Sequence, residues 1–253
     1  VARIPDLYSG FDGIAPQLLA MERELIRSVD LVAHSSTELE AHIRQSGAKE
    51  HLYLSNGVDY DSFSSPQAPP PEYEAIKGPI AVYAGAMTEW LDYALLDHLA
   101  RALPKVSFVY VGPDEMARER LTSLPNVHFL GWRPFERLPA LLQHADVGLM
   151  PYDVVHHYER LRTVNSLKLY QYFSAGLPVV ATRWPEVERL APPVLIGDTP
   201  AAYAEAIQDA LAGGVDLEAG RSIARANDWS SRVTMLLEAL GLDGLALAEA
   251  VAT

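Results

Sequence analysis

The stretch Val164-Asn165-Ser166-Leu167-Lys168-Leu169-Tyr170-Gln171-Tyr172-Phe173-Ser174-Ala175-Gly176-Leu177-Pro178-Val179-Val180-Ala181 reads as a loop, a short helix with Ser166 as its cap, a stop at Gly176-Leu177-Pro178 and a buried strand. On that helix Lys168 and Gln171, three apart, look out of roughly one face near its start. The first turn of a helix offers unpaired N–H groups and a positive dipole end, and Lys168 adds a full charge beside them. Ser166, Leu167 and Lys168 are therefore candidates for holding a diphosphate. Gln171, which can both donate and accept, suits a sugar hydroxyl. The same pattern also describes an amphipathic helix with a surface lysine and glutamine, so the rest of the chain has to decide.

Outward from this stretch the alternation of apolar strand and helix recurs. Strands are expected at Ile80 to Ala84, Val106 to Val111, Val127 to Leu130, Val147 to Met150, Val179 to Ala181 and Val194 to Ile196. They are near-continuously apolar, as strands covered on both faces are. The expected class is α/β, a doubly wound parallel sheet with right-handed crossovers. Ligands of such sheets bind at the carboxyl ends of the strands. Those ends are Gly85-Ala86-Met87-Thr88, Gly112-Pro113-Asp114, Gly131-Trp132-Arg133-Pro134, Pro151-Tyr152-Asp153 and Thr182-Arg183-Trp184. A glycine there either admits a ligand close to the backbone or makes a tight turn.

Upstream, Gln67-Ala68-Pro69-Pro70-Pro71-Glu72 reads as a linker, because consecutive prolines enter neither regular structure. Before it lie a strand end at Val1 to Pro5 and a helix from about Pro16 to Ser28 with Leu18, Leu19, Leu25 and Ile26 on its apolar side. A strand Asp30 to His34, a Ser35/Glu38 capping box and a strand His51 to Leu54 follow. These strands are too few for an independent sheet domain. Downstream, Trp229 opens a last helix to about Leu240, with Val233, Leu236, Leu237 and Leu240 on one face and Trp229 read as packing.

The chain has 253 residues, no cysteine and a net charge of -13. That charge argues against a general nucleic-acid binder. Without cysteine there is neither a disulfide frame nor a thiolate metal site. No apolar run approaches the roughly 20 residues a membrane helix needs. The opening Val1-Ala2-Arg3-Ile4-Pro5 is neither a start methionine nor a targeting peptide, and further sequence is expected upstream.

Four segments occur in order: Ser55-Asn56-Gly57-Val58-Asp59, Val127-His128-Phe129-Leu130-Gly131, His144 to Pro151 and Lys168 to Thr182. Together they resemble the nucleotide-sugar glycosyltransferases of the two-Rossmann-domain (GT-B) architecture. The resemblance covers nearly the whole chain. It implies a Rossmann-like donor-binding domain at 79–240 behind a linker at 67–78, with 1–66 as a remnant of the acceptor-binding domain and 241–253 as a tail. The large retaining families carry two glutamates eight positions apart where this chain has Thr163 and Gln171. Lysine followed three residues later by glutamine instead looks like the inverting glucuronosyltransferases that build xanthan-type exopolysaccharide on a lipid carrier.

That resemblance places the donor diphosphate on Lys168 with Gln171 beside it, and the uridine diphosphate pocket near Tyr152 and Met87. Gly85, Trp132 and Arg133 join the candidate donor contacts as strand-end residues. Ala2-Arg3-Ile4-Pro5-Asp6-Leu7 looks like the strand end that carries the catalytic base, which points to Asp6, with Asp12 as the fallback. Asp6 also reads simply as a turn residue after proline. The donor is expected to be a UDP-sugar, with glucuronic acid the sugar of that family, and the acceptor a lipid-linked saccharide or small molecule. No cofactor, no metal and no nucleic acid are expected. The location is cytoplasmic, with peripheral contact at the inner membrane face through the acceptor half.

His156-His157 do not converge on a metal as an i, i+4 pair does. The segment Pro151 to Asn165 reads as a flap over the donor, with Arg160 or Arg162 able to meet a uronate carboxylate. Two other readings stay open: a nucleotide-sugar binding domain or subunit without turnover, and a sugar-nucleotide epimerase of the same architecture.

Overall fold

The computed structural model describes residues 1–10, 13–121, 124–191 and 193–242. They hold two parallel sheets. The smaller runs in the order β1 (Ala2–Ile4), β2 (Leu31–His34), β3 (Glu50–Tyr53). The larger contains β4 (Ile80–Ala84), β5 (Ser107–Val111), β6 (Val127–Gly131), β7 (Val147–Met150), β8 (Val179–Ala181) and β9 (Leu195–Ile196). Its order is β6-β5-β4-β7-β8-β9, with every pairing parallel. All residues of β4, β5, β7 and β8 are buried, which is why these strands read as unbroken apolar runs. The doubly wound α/β expectation therefore holds.

Helix starts are set by short polar caps. Asp92, Thr199, Asp216 and Asp228 each accept a backbone N–H from the first turn of the helix that follows, at 2.8 to 3.2 Å. The helix Leu167–Ser174 ends as expected. Gly176 takes φ +72°, Leu177 N–H donates to Tyr172 O at 2.9 Å and Gly176 N–H to Phe173 O at 3.0 Å, a Schellman closure. Two contacts clamp this helix onto the sheet. Tyr172 Oη accepts the Ala84 N–H at 2.9 Å, and its ring lies where a side chain on Gly148 of β7 would stand, 2.6 Å from that position. The first turn is thereby aimed at the carboxyl ends of β4 and β7.

The two sheets have separate cores. The small one gathers Ile4, Leu7, Ile26, Val32, Leu39 and Ile43. Val58 and Phe63, which the domain expectation assigned to the first unit, pack in the larger core instead. Val58 also bridges Asp228, which binds the turn before the last helix to the chain leaving β3. The proline-rich linker is ordered against the larger unit. Glu72 pairs with Arg133 and Arg137, Tyr73 Oη donates to Leu141 O, and Gln67 meets Gln143 and His144.

Three local expectations need correction. Ser36 caps the turn at Thr37–Leu39 by accepting the Glu38 N–H, while Ser35 donates its hydroxyl to Pro5 O. The helix Pro16–Ser28 buries Ile26 and Glu22, and leaves Leu18, Met21 and Leu25 exposed. The last helix, Trp229–Ala239, buries Arg232 and exposes Val233 and Leu240. Its Trp229 ring covers Gly57, as the packing reading requires. The fallback base Asp12 and the tail residues 243–253 lie outside the described residues.

Candidate functional site

The larger sheet reverses its winding between β4 and β7, and in open parallel sheets the crevice at the carboxyl ends flanking such a reversal is the ligand site. A cleft of about 300 Å³ lies there. Tyr83, Ala86, Thr88, Trp90 and Leu91 line it from the end of β4 and the segment beyond. Tyr152 lines it from the end of β7, and Ser166, Leu167 and Lys168 from the first turn of the clamped helix. The smaller unit contributes Asp6, beyond β1, and Asn56, beyond β3.

Among the described residues lining this cleft, Lys168 is the sole cation and Asp6 the sole carboxylate. Lys168 Nζ lies 5.5 Å from the centre of the Tyr83 ring. Gly85 makes that position possible, since a Cβ there would stand 2.2 Å from Lys168 Cε. Ser166 occupies the cap position with extended backbone, yet its side chain makes no capping bond. Its hydroxyl and the Leu167 and Lys168 N–H groups are thus left to an incoming acceptor, while the Leu169 N–H donates to Ser166 O. Burial pushes the Asp6 carboxyl above the ordinary aspartate range, opposed by the charges of Arg160 and Arg3. Arg160 lies over the Trp90 ring and pairs with Glu89 at 3.4 Å.

Asp6, Tyr152, Ser166, Leu167 and Lys168 are thus brought together as expected, with Gly85 beneath the lysine. Met87 is not: it is buried in the core, its N–H bonded to Pro113 O, and Ala86 and Thr88 face the cleft instead. Trp132 and Arg133 follow β6, the sheet edge, two strands from β4 and so roughly 10 Å away. Trp132 is 68% exposed, and Arg133 is drawn to Glu72 of the linker. Gln171 is half-buried one turn further along the helix and does not line the cleft. A larger hollow of about 550 Å³ beside β6 carries none of the predicted residues, and its Glu72 is already neutralised by Arg133 and Arg137.

Of the two flap arginines, Arg162 pairs with Glu38 and Glu159, and Arg160, paired with Glu89, is the one whose field reaches Asp6. His156 is tied to Asp153 at 2.7 Å, and the described residues hold no cluster suited to a metal ion. Thr163 is fully buried, its hydroxyl accepting the Leu7 N–H and donating to Arg160 O.

Sequence reasoning missed Asn56, Trp90, Asn165 and Glu186. Asn56 carries a signal, because it follows β3 as the other candidates follow their strands. Asn165 stands one residue before the cap. Glu186, 2% exposed, sits in a helix whose charge pattern is that of a solvated face.

The chain is 27% identical over 237 residues to the putative teichuronic acid biosynthesis glycosyltransferase TuaH of Bacillus subtilis (strain 168), covering 87% of this chain and 59% of that protein. It spans about three-fifths of that curated relative's length. Anabaena HepE, solved in complex with UDP and glucose, superposes with a TM-score of 0.74 at 17% identity, over 95% of this chain and 70% of that one. WaaG, a glycosyltransferase involved in lipopolysaccharide biosynthesis, superposes at 0.62 with 18% identity, over 89% and 66%. These likenesses show the fold, which is the Rossmann-like fold of GT-B glycosyltransferase structures. The family model described as "Glycosyl transferases group 1" matches residues 78–213, more than half of the sequence, and the chain belongs to that family.

Proposed function

We propose that this chain carries the site of a glycosyltransferase that moves a sugar from a UDP-sugar to an acceptor hydroxyl with inversion. The observation that carries the reading is the convergence of Asp6 from one unit and the Lys168 helix from the other on a single cleft at the winding reversal. The Asp6 carboxylate accepts the proton of the acceptor hydroxyl as its oxygen attacks the anomeric carbon. The bond to the diphosphate breaks on the opposite side. The Lys168 side chain, the Ser166 hydroxyl and the Leu167 and Lys168 N–H groups take up the charge left on the diphosphate. A single displacement needs one carboxylate, and the described lining supplies one. The buried Thr163 and the remote Gln171 offer no second. Lys168 and the helix end supply positive charge in the place a metal would otherwise fill, so the reading needs none.

HepE, solved in complex with UDP and glucose, supports a UDP-linked donor, and TuaH, described as a putative glycosyltransferase, supports sugar transfer. The uronic acid of the resembling family is the finer proposal, with Arg160 as a cation whose charge reaches the base. The acceptor, a lipid-linked saccharide or a small molecule, approaches from the Asp6 side. Among the described residues no helix is long and apolar enough to cross a membrane. Membrane contact is proposed as peripheral, at the cytoplasmic face, through the acceptor half that the resemblance implies.

Calorimetry with UDP tests the reading, with GDP and TDP as controls and Lys168→Ala as the variant. UDP release from UDP-glucose and UDP-glucuronate, with wild type and Asp6→Ala, follows. Uridine-selective binding lost in Lys168→Ala, with release lost but binding kept in Asp6→Ala, is expected. Release that survives Asp6→Ala would remove the base from the scheme, and equal binding by Lys168→Ala would remove the diphosphate site. Release that never exceeds background in wild type would favour the binding-module reading.

A further inference from the structure

A chain of hydrogen bonds joins the strand that carries Asp6 to the start of the Lys168 helix, and it centres on Asn165. Asn165 Oδ1 accepts the Asn56 N–H at 2.8 Å, and its backbone carbonyl accepts Asn56 Nδ2 at 2.5 Å. Asn56 Oδ1 in turn accepts Arg3, in β1, three residues before Asp6. On the other side Asn165 Nδ2 donates to Tyr170 Oη at 3.0 Å and to Glu186 Oε2 at 3.2 Å. Glu186 reaches back to the first unit, where its Oε1 accepts the Ser36 hydroxyl at 2.7 Å, the Thr37 N–H at 3.2 Å and the Thr37 hydroxyl at 3.3 Å. Arg189 balances its charge at 2.5 Å.

A carboxylate buried between two units is retained at a desolvation cost, and here its oxygens are saturated by donors from both sides. Asn165 uses its amide for the same purpose, bonding the first unit with its oxygen and the second with its nitrogen. Neither side chain is a member of the two apolar cores, although Asn165 bonds the core residue Tyr170.

We infer that Asn165, with Asn56 and Glu186, is a positioning device that fixes the register between the base on the first unit and the diphosphate site on the second. This rests on the roles given above to Asp6 and Lys168. The three residues set how far the acceptor oxygen stands from the anomeric carbon. A displacement of about 1 Å between such groups costs roughly 100-fold in rate.

The variants are Asn56→Ala, Asn165→Asp, Glu186→Gln and the combination Asn165→Asp/Glu186→Gln. Asn165→Asp keeps both bonds to Asn56 but sets a second carboxylate against Glu186. Glu186→Gln turns an amide donor toward the Asn165 donor. Combined, they restore a donor–acceptor pair between positions 165 and 186, while the amide at 186 still faces Arg189, so recovery is partial. Expected are a fall of roughly 10- to 100-fold in UDP release from UDP-glucose for each single variant, UDP affinity by calorimetry within about threefold of wild type for Glu186→Gln, whose side chain does not line the cleft, and partial recovery in the combination. Additive loss in the combination, or a fall in UDP affinity of Glu186→Gln that matches its fall in rate, would overturn the proposal. Hydrogen exchange at residues 2–7 and 166–169 provides a readout without turnover. It should quicken in the single variants and recover in part in the combination, and unchanged exchange would overturn the coupling. Failure of wild type to bind UDP would instead count against the functional reading, and exchange alone would then judge the coupling. Asn56→Ala, half-buried and remote from Glu186, serves where the position 186 variants do not fold.

Discussion

Gly85→Ala puts the proposed diphosphate site to a quantitative test. The Cβ it adds would lie 2.2 Å from Lys168 Cε and 2.9 Å from Nζ, with the Tyr83 hydroxyl next at 3.2 Å. Carbon atoms rest at about 3.5–4.0 Å, so the lysine tip must retreat by at least about 1.3 Å. The flexible lysine yields before the backbone of β4 does. Its withdrawal removes one charge-assisted contact to the diphosphate, worth about 1.5–3 kcal/mol, or roughly 10- to 150-fold in UDP affinity. The glycine also sits at φ +151°, so alanine adds a backbone cost of about 1–3 kcal/mol to folding. The two effects separate in a double-mutant cycle. In a Lys168→Ala background the nearest atom the added methyl meets is the Tyr83 hydroxyl at 3.2 Å, so Gly85→Ala should no longer weaken UDP binding, while its cost in thermal stability persists. The assay is calorimetric titration of UDP into the four proteins, with melting curves in parallel. An equal loss of affinity with and without the lysine would refute the reasoning. It would mean that the bare backbone of Gly85, and not the room it leaves for Lys168, is what the nucleotide needs.

Ser166→Ala should leave the melting temperature within about 1–2 °C of wild type, because the side chain makes no capping bond, yet weaken UDP binding several-fold; a large loss of stability would show that the hydroxyl caps the helix in solution. Burial holds the Asp6 pKa above its unfolded value, so the folded state binds that proton more tightly, and stability from this group is present at low pH and lost as pH rises through the raised value. Asp6→Asn should therefore melt higher than wild type at neutral pH while losing UDP release, which melting curves from pH 4 to 8 would check. Arg160 opposes the rise, so Arg160→Met should move the acidic limb of the release profile to higher pH; a shift to lower pH would contradict the placement of that charge. Asn126 donates to the carbonyls of Ala100, Leu103 and Val106 at 3.0 to 3.3 Å, and Asn126→Ala should cost about 1–3 kcal/mol of stability with UDP affinity unchanged.

The larger sheet is legible in the sequence because parallel strands covered on both faces leave continuous apolar runs, and all six fall within a residue of their expected ends. The Lys168 helix is legible because its stop, Gly176-Leu177-Pro178, has one backbone solution. Met87 was misplaced because position after a strand says which loop a residue joins, and not whether its side chain turns outward or into the core. Trp132 and Arg133 were misplaced because strand order is a tertiary property. Only the order β6-β5-β4 shows that a residue leaving β6 stands at the far edge. The apolar faces read for the helices Pro16–Ser28 and Trp229–Ala239 are real in periodicity but stay partly exposed, while Glu22 and Arg232 are buried beside them.

The hardest residue to find, Glu186, shows where sequence reading stops. Pro185-Glu186-Val187-Glu188-Arg189 has one apolar residue among three charged ones, and every local rule assigns its acids to solvent. Glu188 obeys, paired at the surface with Arg183. Glu186 does not, because Ser36 and Thr37, about 150 positions earlier in the chain, arrive with donors that make burial of a carboxylate tolerable. Motifs that act within one element, such as a cap, a helix stop or a lysine beside a dipole, leave their mark in consecutive residues. A side chain whose partners come from another unit leaves none. The proposed chemistry lies across that boundary, with Asp6 on one side and Lys168 on the other. Its reagents can therefore be found by reading the chain, and the residues that hold them in register cannot.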